Sequence, residues 1–226
     1  MLKTLAKGVN YLFGKALEKN SITVSSSLGY LYRKRTIDKN YFDYIRLATL
    51  ELISYEIRTK KLLGNTAELG VYKGKFARYI NQYFPDKTLY LFDTFEGFDK
   101  RDIKSETQNK FSTGEQDFSD TSVSSVLKLM PFPEKCILIK GFFPESAKAI
   151  DDSFVFVSLD ADLYEPIYYG LQFFFPKLVH GGYIFIHDFN NENYKGARKA
   201  VEQFCNEQKI NYIPIPDFGG SAIILK

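Results

Sequence analysis

Asp160-Ala161-Asp162 and His187-Asp188 each end an otherwise apolar run, Phe154 to Leu159 and Tyr183 to Ile186. Carboxylates side by side at a buried edge repel one another unless a cation neutralises them. Oxygens from two or three side chains, completed by water and a ligand hydroxyl, suit an octahedral Mg²⁺. Such an ion lowers the pKa of the hydroxyl it holds and makes it a better nucleophile. A local reading competes: Asp160 or Asp162 caps the next helix, and Asp188 caps the turn after its strand. His187 keeps three roles open, as metal ligand, general base or positioning partner of the aspartate. His180, before Gly181, reads as a solvent-facing loop residue.

A second constellation is Thr66-Ala67-Glu68-Leu69-Gly70-Val71-Tyr72-Lys73-Gly74, a short apolar strand that ends in a carboxylate and two glycines. One strand later, Leu89-Tyr90-Leu91-Phe92 ends in Asp93. A glycine-rich strand-to-helix turn beside an acid at the neighbouring strand tip holds a ribose-bearing cofactor. The Glu-x-Gly-x-x-x-Gly spacing differs from the Gly-x-Gly-x-x-Gly that grips a dinucleotide pyrophosphate, which favours a cofactor without phosphates. S-adenosylmethionine needs an acceptor for its ammonium, a bidentate acceptor for its ribose and an aromatic slot for adenine. Glu68 and Asp93 offer the acceptors, Gly70 and Gly74 allow close approach, and Gly141-Phe142-Phe143-Pro144 offers the slot. The alternative is a tight turn made by Gly70 and Gly74, with Glu68 a surface acid.

These residues need elements to hold them. A helix over 41–58, capped by Asp38 or Asn40, shows a stripe of Ile45, Leu52 and Tyr55 with Ala48 and Thr49 between. Strands are expected at 66–71, 88–93, 137–140, 154–159, 183–186, 211–215 and 221–225, with helices at 74–84, 121–130, 165–178 and 195–208. The stretch 99–120 is too polar for a core element. Strands alternating with helices predict an α/β, Rossmann-like, doubly wound and mostly parallel sheet of seven strands. Pro216 to Gly220 leave no room for a crossover helix, so the last strand must run antiparallel. Residues 1–60 read as an N-terminal helical arm or lid, and 61–226 as the domain that carries the chemistry.

Composition sets limits. A chain of 226 residues, 45% of them hydrophobic, can bury a sizeable core. A net charge of +3 is too small to imply nucleic acid, and the clusters Arg33-Lys34-Arg35 and Arg58 to Lys61 read as solvated faces. No apolar run reaches the ~20 residues needed to span a bilayer. Cys136 and Cys205 form no CxxC, which points to a reducing, cytoplasmic compartment. Met1 to Asn20 form an amphipathic segment that could pack on the body or on a second copy in a homo-oligomer.

Taken together and in order, six segments resemble the macrocin O-methyltransferase family. They are Glu68 to Gly74, Phe92-Asp93-Thr94-Phe95-Glu96-Gly97-Phe98, Phe118 to Ser122, Gly141 to Ser146, Asp160 to Glu165, and Gly181 to Phe189. The resemblance covers about residues 38–226. It implies a metal-dependent O-methyltransferase acting on sugar hydroxyls of small molecules or glycan precursors. It implies S-adenosylmethionine held by Glu68, Gly70 and Asp93 with the adenine near Phe142, and a divalent metal on Asp160, His187 and Asp188; Gly74, Thr94 and Gly141 complete the expected cofactor-binding set. His187 departs from the pattern, standing where the antibiotic-modifying enzymes carry the first aspartate of an Asp-Asp pair. Imidazole makes Mn²⁺ plausible beside Mg²⁺. Leu163 stands where catechol-type enzymes often carry a lysine base, so Asp160, Asp188 or His187 must take the proton, or the metal must suffice. Two other classes stay open: a nicotinamide-dependent oxidoreductase on the same topology, and a non-catalytic binding relative.

Overall fold

The computed structural model describes residues 2–19, 22 and 43–226. They fall into two units, Met1–Asn40 and Tyr41–Lys226. In the first, Leu2–Glu18 form helix α1, on which Leu5, Leu12 and Phe13 are exposed. The basic cluster at 33–35 and the expected caps Asp38 and Asn40 lie outside the described residues.

The first helix of the second unit is α2, Tyr44–Thr59. Asp43 is the cap: its Oδ1 accepts the Arg46 N–H at 3.1 Å. The face that α2 buries is Leu47, Leu50, Ile53 and Ile57, whereas Ile45 and Tyr55 are exposed. Both sets repeat at helical spacing. The four aliphatics win because they close a core layer with Phe76, Phe84, Phe156 and Phe185.

Seven strands follow: β1 (Asn65–Leu69), β2 (Leu89–Asp93), β3 (Cys136–Lys140), β4 (Phe154–Leu159), β5 (Leu178–Ile186), β6 (Ile213–Ile215) and β7 (Ser221–Leu225). They form one sheet in the order β3-β2-β1-β4-β5-β7-β6. The first five are parallel, and β7 runs antiparallel to both β5 and β6, as the short final connection requires. β5 starts at Leu178, well before Tyr183, so Gly181 and Gly182 lie within the strand.

Helices cover both faces. α2, α3 (Lys75–Tyr83) and α5 (Val123–Leu129) share one apolar layer. On the other face, α6 (Tyr164–Lys177) and α7 (Lys195–Gln208) pack around Phe92, Phe154, Phe174 and Phe204. β4 lies between the layers with every residue buried, which is why it reads as an unbroken apolar run.

The stretch 99–120 contains a helix that the polarity concealed, α4 (Lys100–Gln108), capped by Asp99 and burying Asp102 and Glu106. Glu106 explains the burial: its Oε2 accepts the Tyr164 N–H at 2.9 Å and so caps α6 from a distant segment. α6 has no cap of its own, so neither Asp160 nor Asp162 performs that task.

Candidate active site

The strand order reverses between β1 and β4, and ligands of open α/β sheets bind at such a reversal, beyond the strands' carboxyl ends. A cavity of about 420 Å³ opens there. Its wall includes Glu68, Gly70, Asp93, Thr94, Gly141, Phe142, Asp160, His187 and Asp188. Gly74 is not in that wall. It is the left-handed N-cap of α3 (φ 74°), and it faces Val126 and Met130 of the α5 segment.

Asp93 is more occupied than the sequence suggests. Its Oδ2 accepts the N–H of Val71 at 2.7 Å and of Tyr72 at 2.8 Å, and its Oδ1 accepts that of Phe95 at 2.6 Å. Three of about four lone-pair positions are therefore taken. The carboxylate ties the turns after β1 and β2 together and has one acceptor position left for a ribose, not the expected pair. Thr94 likewise serves its own turn, with Oγ1 donating to the Gly97 carbonyl at 2.6 Å.

Glu68 is the opposite case. It is buried in β1, lines the cavity, and neither carboxylate oxygen has a hydrogen-bond partner. Burial, with the Asp160 charge next, pushes its pKa well above the usual carboxylate range. A buried acceptor without donors is costly, and a cation entering the cavity would relieve that cost. Phe142 and Phe143 both line the cavity; the Arg101 guanidinium lies 3.4 Å from the Phe142 ring centroid, and Phe143 is also packed into the core.

The acids at the tips of β4 and β5 do come together. Asp160, His187 and Asp188 bring one donor atom each within 4.8 Å of the others. His187 Nδ1 lies 2.9 Å from Asp160 Oδ1 and 2.6 Å from Asp188 Oδ2. Asp188 Oδ1 accepts from Asn191 Nδ2 at 2.7 Å. One group was not anticipated: Arg46 of α2 reaches in and donates from Nη2 to Asp160 Oδ2 at 2.8 Å. Its guanidinium carbon sits 3.8 Å above the centre of the Phe76 ring. Burial alone would raise the Asp160 pKa, but Arg46 and then His187 overcome it and hold that carboxyl below its usual range. Burial would lower His187, yet the Asp160 charge outweighs it and the imidazole rises to about 10. Burial, with Asp188 and then Asp160, drives Asp162 well above the carboxylate range.

Four strand-end turns carry a non-glycine residue at positive φ: Tyr72 (47°), Phe95 (54°), Asp162 (59°) and Asp188 (56°). Aspartate tolerates this region, whereas bulky aromatics rarely adopt it. Strained backbone gathered around one cavity is characteristic of sites that position ligands. No sequence signal marks Tyr72 or Phe95, since glycine would be expected there. Arg46 did leave a trace: a cation in the first turn of a helix opposes the macrodipole.

A family model described as Macrocin-O-methyltransferase (TylF) matches residues 36–223. The chain belongs to the macrocin-O-methyltransferase family. It is an O-methyltransferase. The antiparallel β7 and the Glu68 to Gly74 turn fall within the matched span, apart from the last two residues of β7. Among solved structures, the chain is similar to the O-methyltransferase NovP, with a TM-score of 0.64 and 18% identity over 80% of this chain and 79% of that one. It is similar to CalS11, a calicheamicin methyltransferase, with a TM-score of 0.64 and 17% identity over 80% and 78% of the two chains. A putative caffeoyl-CoA O-methyltransferase from Staphylococcus aureus gives 0.55 and 16% over 100% and 97%. No curated protein sequence matches the chain.

Proposed function

We propose that this macrocin-family enzyme transfers the methyl group of S-adenosylmethionine to a hydroxyl of a sugar-containing small molecule or glycan precursor, with a divalent metal at Asp160, His187 and Asp188. The observation that carries the cofactor assignment is the unpartnered Glu68 carboxylate facing the cavity. It suits the cofactor ammonium, the remaining Asp93 lone pair suits a ribose hydroxyl, and Phe142 suits the adenine face. The sugar acceptor is supported by the family and by CalS11, whose apo form is described as a TDP-rhamnose 3'-O-methyltransferase.

Two carboxylates and an imidazole within 4.8 Å fit a divalent ion, with the nitrogen donor favouring Mn²⁺ more than an all-oxygen set would. When bound, the ion would acidify an acceptor hydroxyl. The chain's own contribution is positioning, since methyl transfer is an in-line displacement. Arg46 and His187 hold Asp160 in one orientation, and Asn191 does the same for Asp188. Without the ion, His187 Nδ1 lies between two carboxylates and donates to them; holding an ion through that nitrogen would require the proton to leave, and a carboxylate oxygen would then accept the hydroxyl proton. Leu163 is wholly buried and supplies no base. Among the described residues no helix is long and apolar enough to cross a membrane. A cytoplasmic site of action and a homo-oligomer complete the proposal.

The test is a thermal-shift comparison of S-adenosylhomocysteine with NADH, followed by methyl transfer to nucleotide-sugar and glycoside acceptors with Mg²⁺, Mn²⁺ or EDTA. Stabilisation by S-adenosylhomocysteine alone and a product methylated on a sugar oxygen are expected. Stabilisation by the dinucleotide alone would overturn the cofactor assignment, and full activity in EDTA would overturn the metal.

A further inference from the structure

Every oxygen of the two metal-site aspartates already faces a donor from this chain. Asp160 Oδ2 takes Arg46, Asp160 Oδ1 and Asp188 Oδ2 take His187, and Asp188 Oδ1 takes Asn191. Arg46 is the member of that set that comes from outside the sheet edge. It enters from the first turn of α2, where a cation opposes the helix dipole, so the Asp160 contact has to outweigh an unfavourable placement. The arm is well anchored. Asp43 Oδ1 accepts the Arg46 N–H, and Asp43 Oδ2 accepts the Phe218 N–H at 2.8 Å, which pins the start of α2 to the β6–β7 loop. Phe76 below the guanidinium supplies a second seat that does not depend on Asp160.

We infer that Arg46 is a built-in counter-ion that competes with the divalent cation for Asp160, so that metal binding requires the guanidinium to give up the carboxylate. The inference rests on the metal assignment proposed above. A divalent ion held by Asp160 beside His187 and Asp188 would lie close to the guanidinium on Asp160 Oδ2, and like charges that close in a largely buried site repel strongly. The ion pair therefore keeps the carboxylates neutralised in the metal-free enzyme and lowers the apparent affinity for metal by the fraction of molecules in which Asp160 is taken. Once displaced, Arg46 retains its stacking on Phe76 and turns its donors toward the cavity that Glu68 and Asp160 line.

The test is Mn²⁺ binding, followed by the loss of the free-ion paramagnetic resonance signal, to the full chain without cofactor. Arg46→Met should bind Mn²⁺ at least tenfold more tightly than wild type, with Arg46→Lys between them. Equal or weaker binding by Arg46→Met overturns the competition and leaves the metal site standing. Absence of Mn²⁺ binding in both proteins overturns the competition and the metal site together. The second measurement needs no variant: Mn²⁺ should accelerate modification of Arg46 in wild type by phenylglyoxal, read by peptide mass spectrometry. A rate indifferent to Mn²⁺ overturns the inference.

Discussion

Gly70 lies against the carbonyl of Asp160, and a Cβ at Gly70 would fall inside the van der Waals envelope of that oxygen. The contact joins the two halves of the site, because Asp160 N–H also donates to the Leu69 carbonyl at 2.8 Å. Gly70 has φ +84°, a region that L side chains rarely adopt. Gly70→Ala therefore meets both backbone strain and a backbone clash that no rotamer can relieve. It should cost more than about 2 kcal/mol. At ~2–4 °C per kcal/mol for a chain of this size, Tm should fall by several degrees. A calorimetric scan that finds Tm unchanged would refute this account of the turn.

The Arg46–Asp160 pair should behave as a coupled unit. The Arg46 side chain is 7% exposed and that of Asp160 is 22% exposed. Removing either partner strands a largely buried charge, at a cost of roughly 2–4 kcal/mol once the residual exposure of Asp160 is discounted. The double variant Arg46→Met/Asp160→Ala should lose less than the sum of the singles, with a coupling of about 1–3 kcal/mol by urea denaturation. Strict additivity would mean the pair contributes nothing as a pair.

Stability should depend on pH through Asp102. Burial, and then the neighbouring Asp99 charge, push its pKa from the ordinary 3.8 up to about 7. The folded state thus holds this proton more tightly than the unfolded chain. Below pH 3.8 both states are protonated and the group costs nothing. As pH rises toward about 7 the unfolded chain ionises first, so stability is lost across that window and levels off above it. Asp102→Asn should match wild type near pH 4 and gain about 1–3 kcal/mol above pH 7. Parallel Tm–pH curves for the two proteins would contradict the burial argument.

Phe142 should matter for the cofactor more than for folding. Both Phe142 and Phe143 line the cavity, but Phe143 is also packed into the core. Stacking of a base on an aromatic ring is worth about 1–3 kcal/mol. Phe142→Ala should therefore weaken S-adenosylhomocysteine binding by roughly 5- to 150-fold in a calorimetric titration. Phe143→Ala should mainly lower Tm. Equal loss of affinity in both variants would mean that adenine lies elsewhere.

Much of this site was legible because strand ends expose their chemistry. An apolar run that stops at an acid, as at Asp93, Asp160 and His187-Asp188, signals burial and function within a few residues of sequence. The mostly parallel sheet and its antiparallel last strand followed from alternation and from the shortness of Pro216 to Gly220. What escaped notice depended on distant partners. Arg46 lies 114 residues from Asp160 in sequence, and a basic residue at a helix start looks like surface. α4 was hidden because the residues it buries are acids, with Glu106 serving a helix 58 residues away. The face of α2 was misassigned because two sets of positions satisfy the same period, and tertiary packing alone chooses between them.

The reversed direction of β7 has a consequence for how this enzyme can diversify. A parallel strand delivers only its exit to the reactive edge, but an antiparallel one delivers its entrance, and with it the loop that precedes it. Gly219 in that loop rests against the His187 ring, and Phe218 beside it projects outward with 77% of its surface open. Asp217 clasps Ser221 and fixes the base of the loop to the ladder. Replacements at Phe218 can therefore vary the outer face of that loop while the paired strands beneath keep their register.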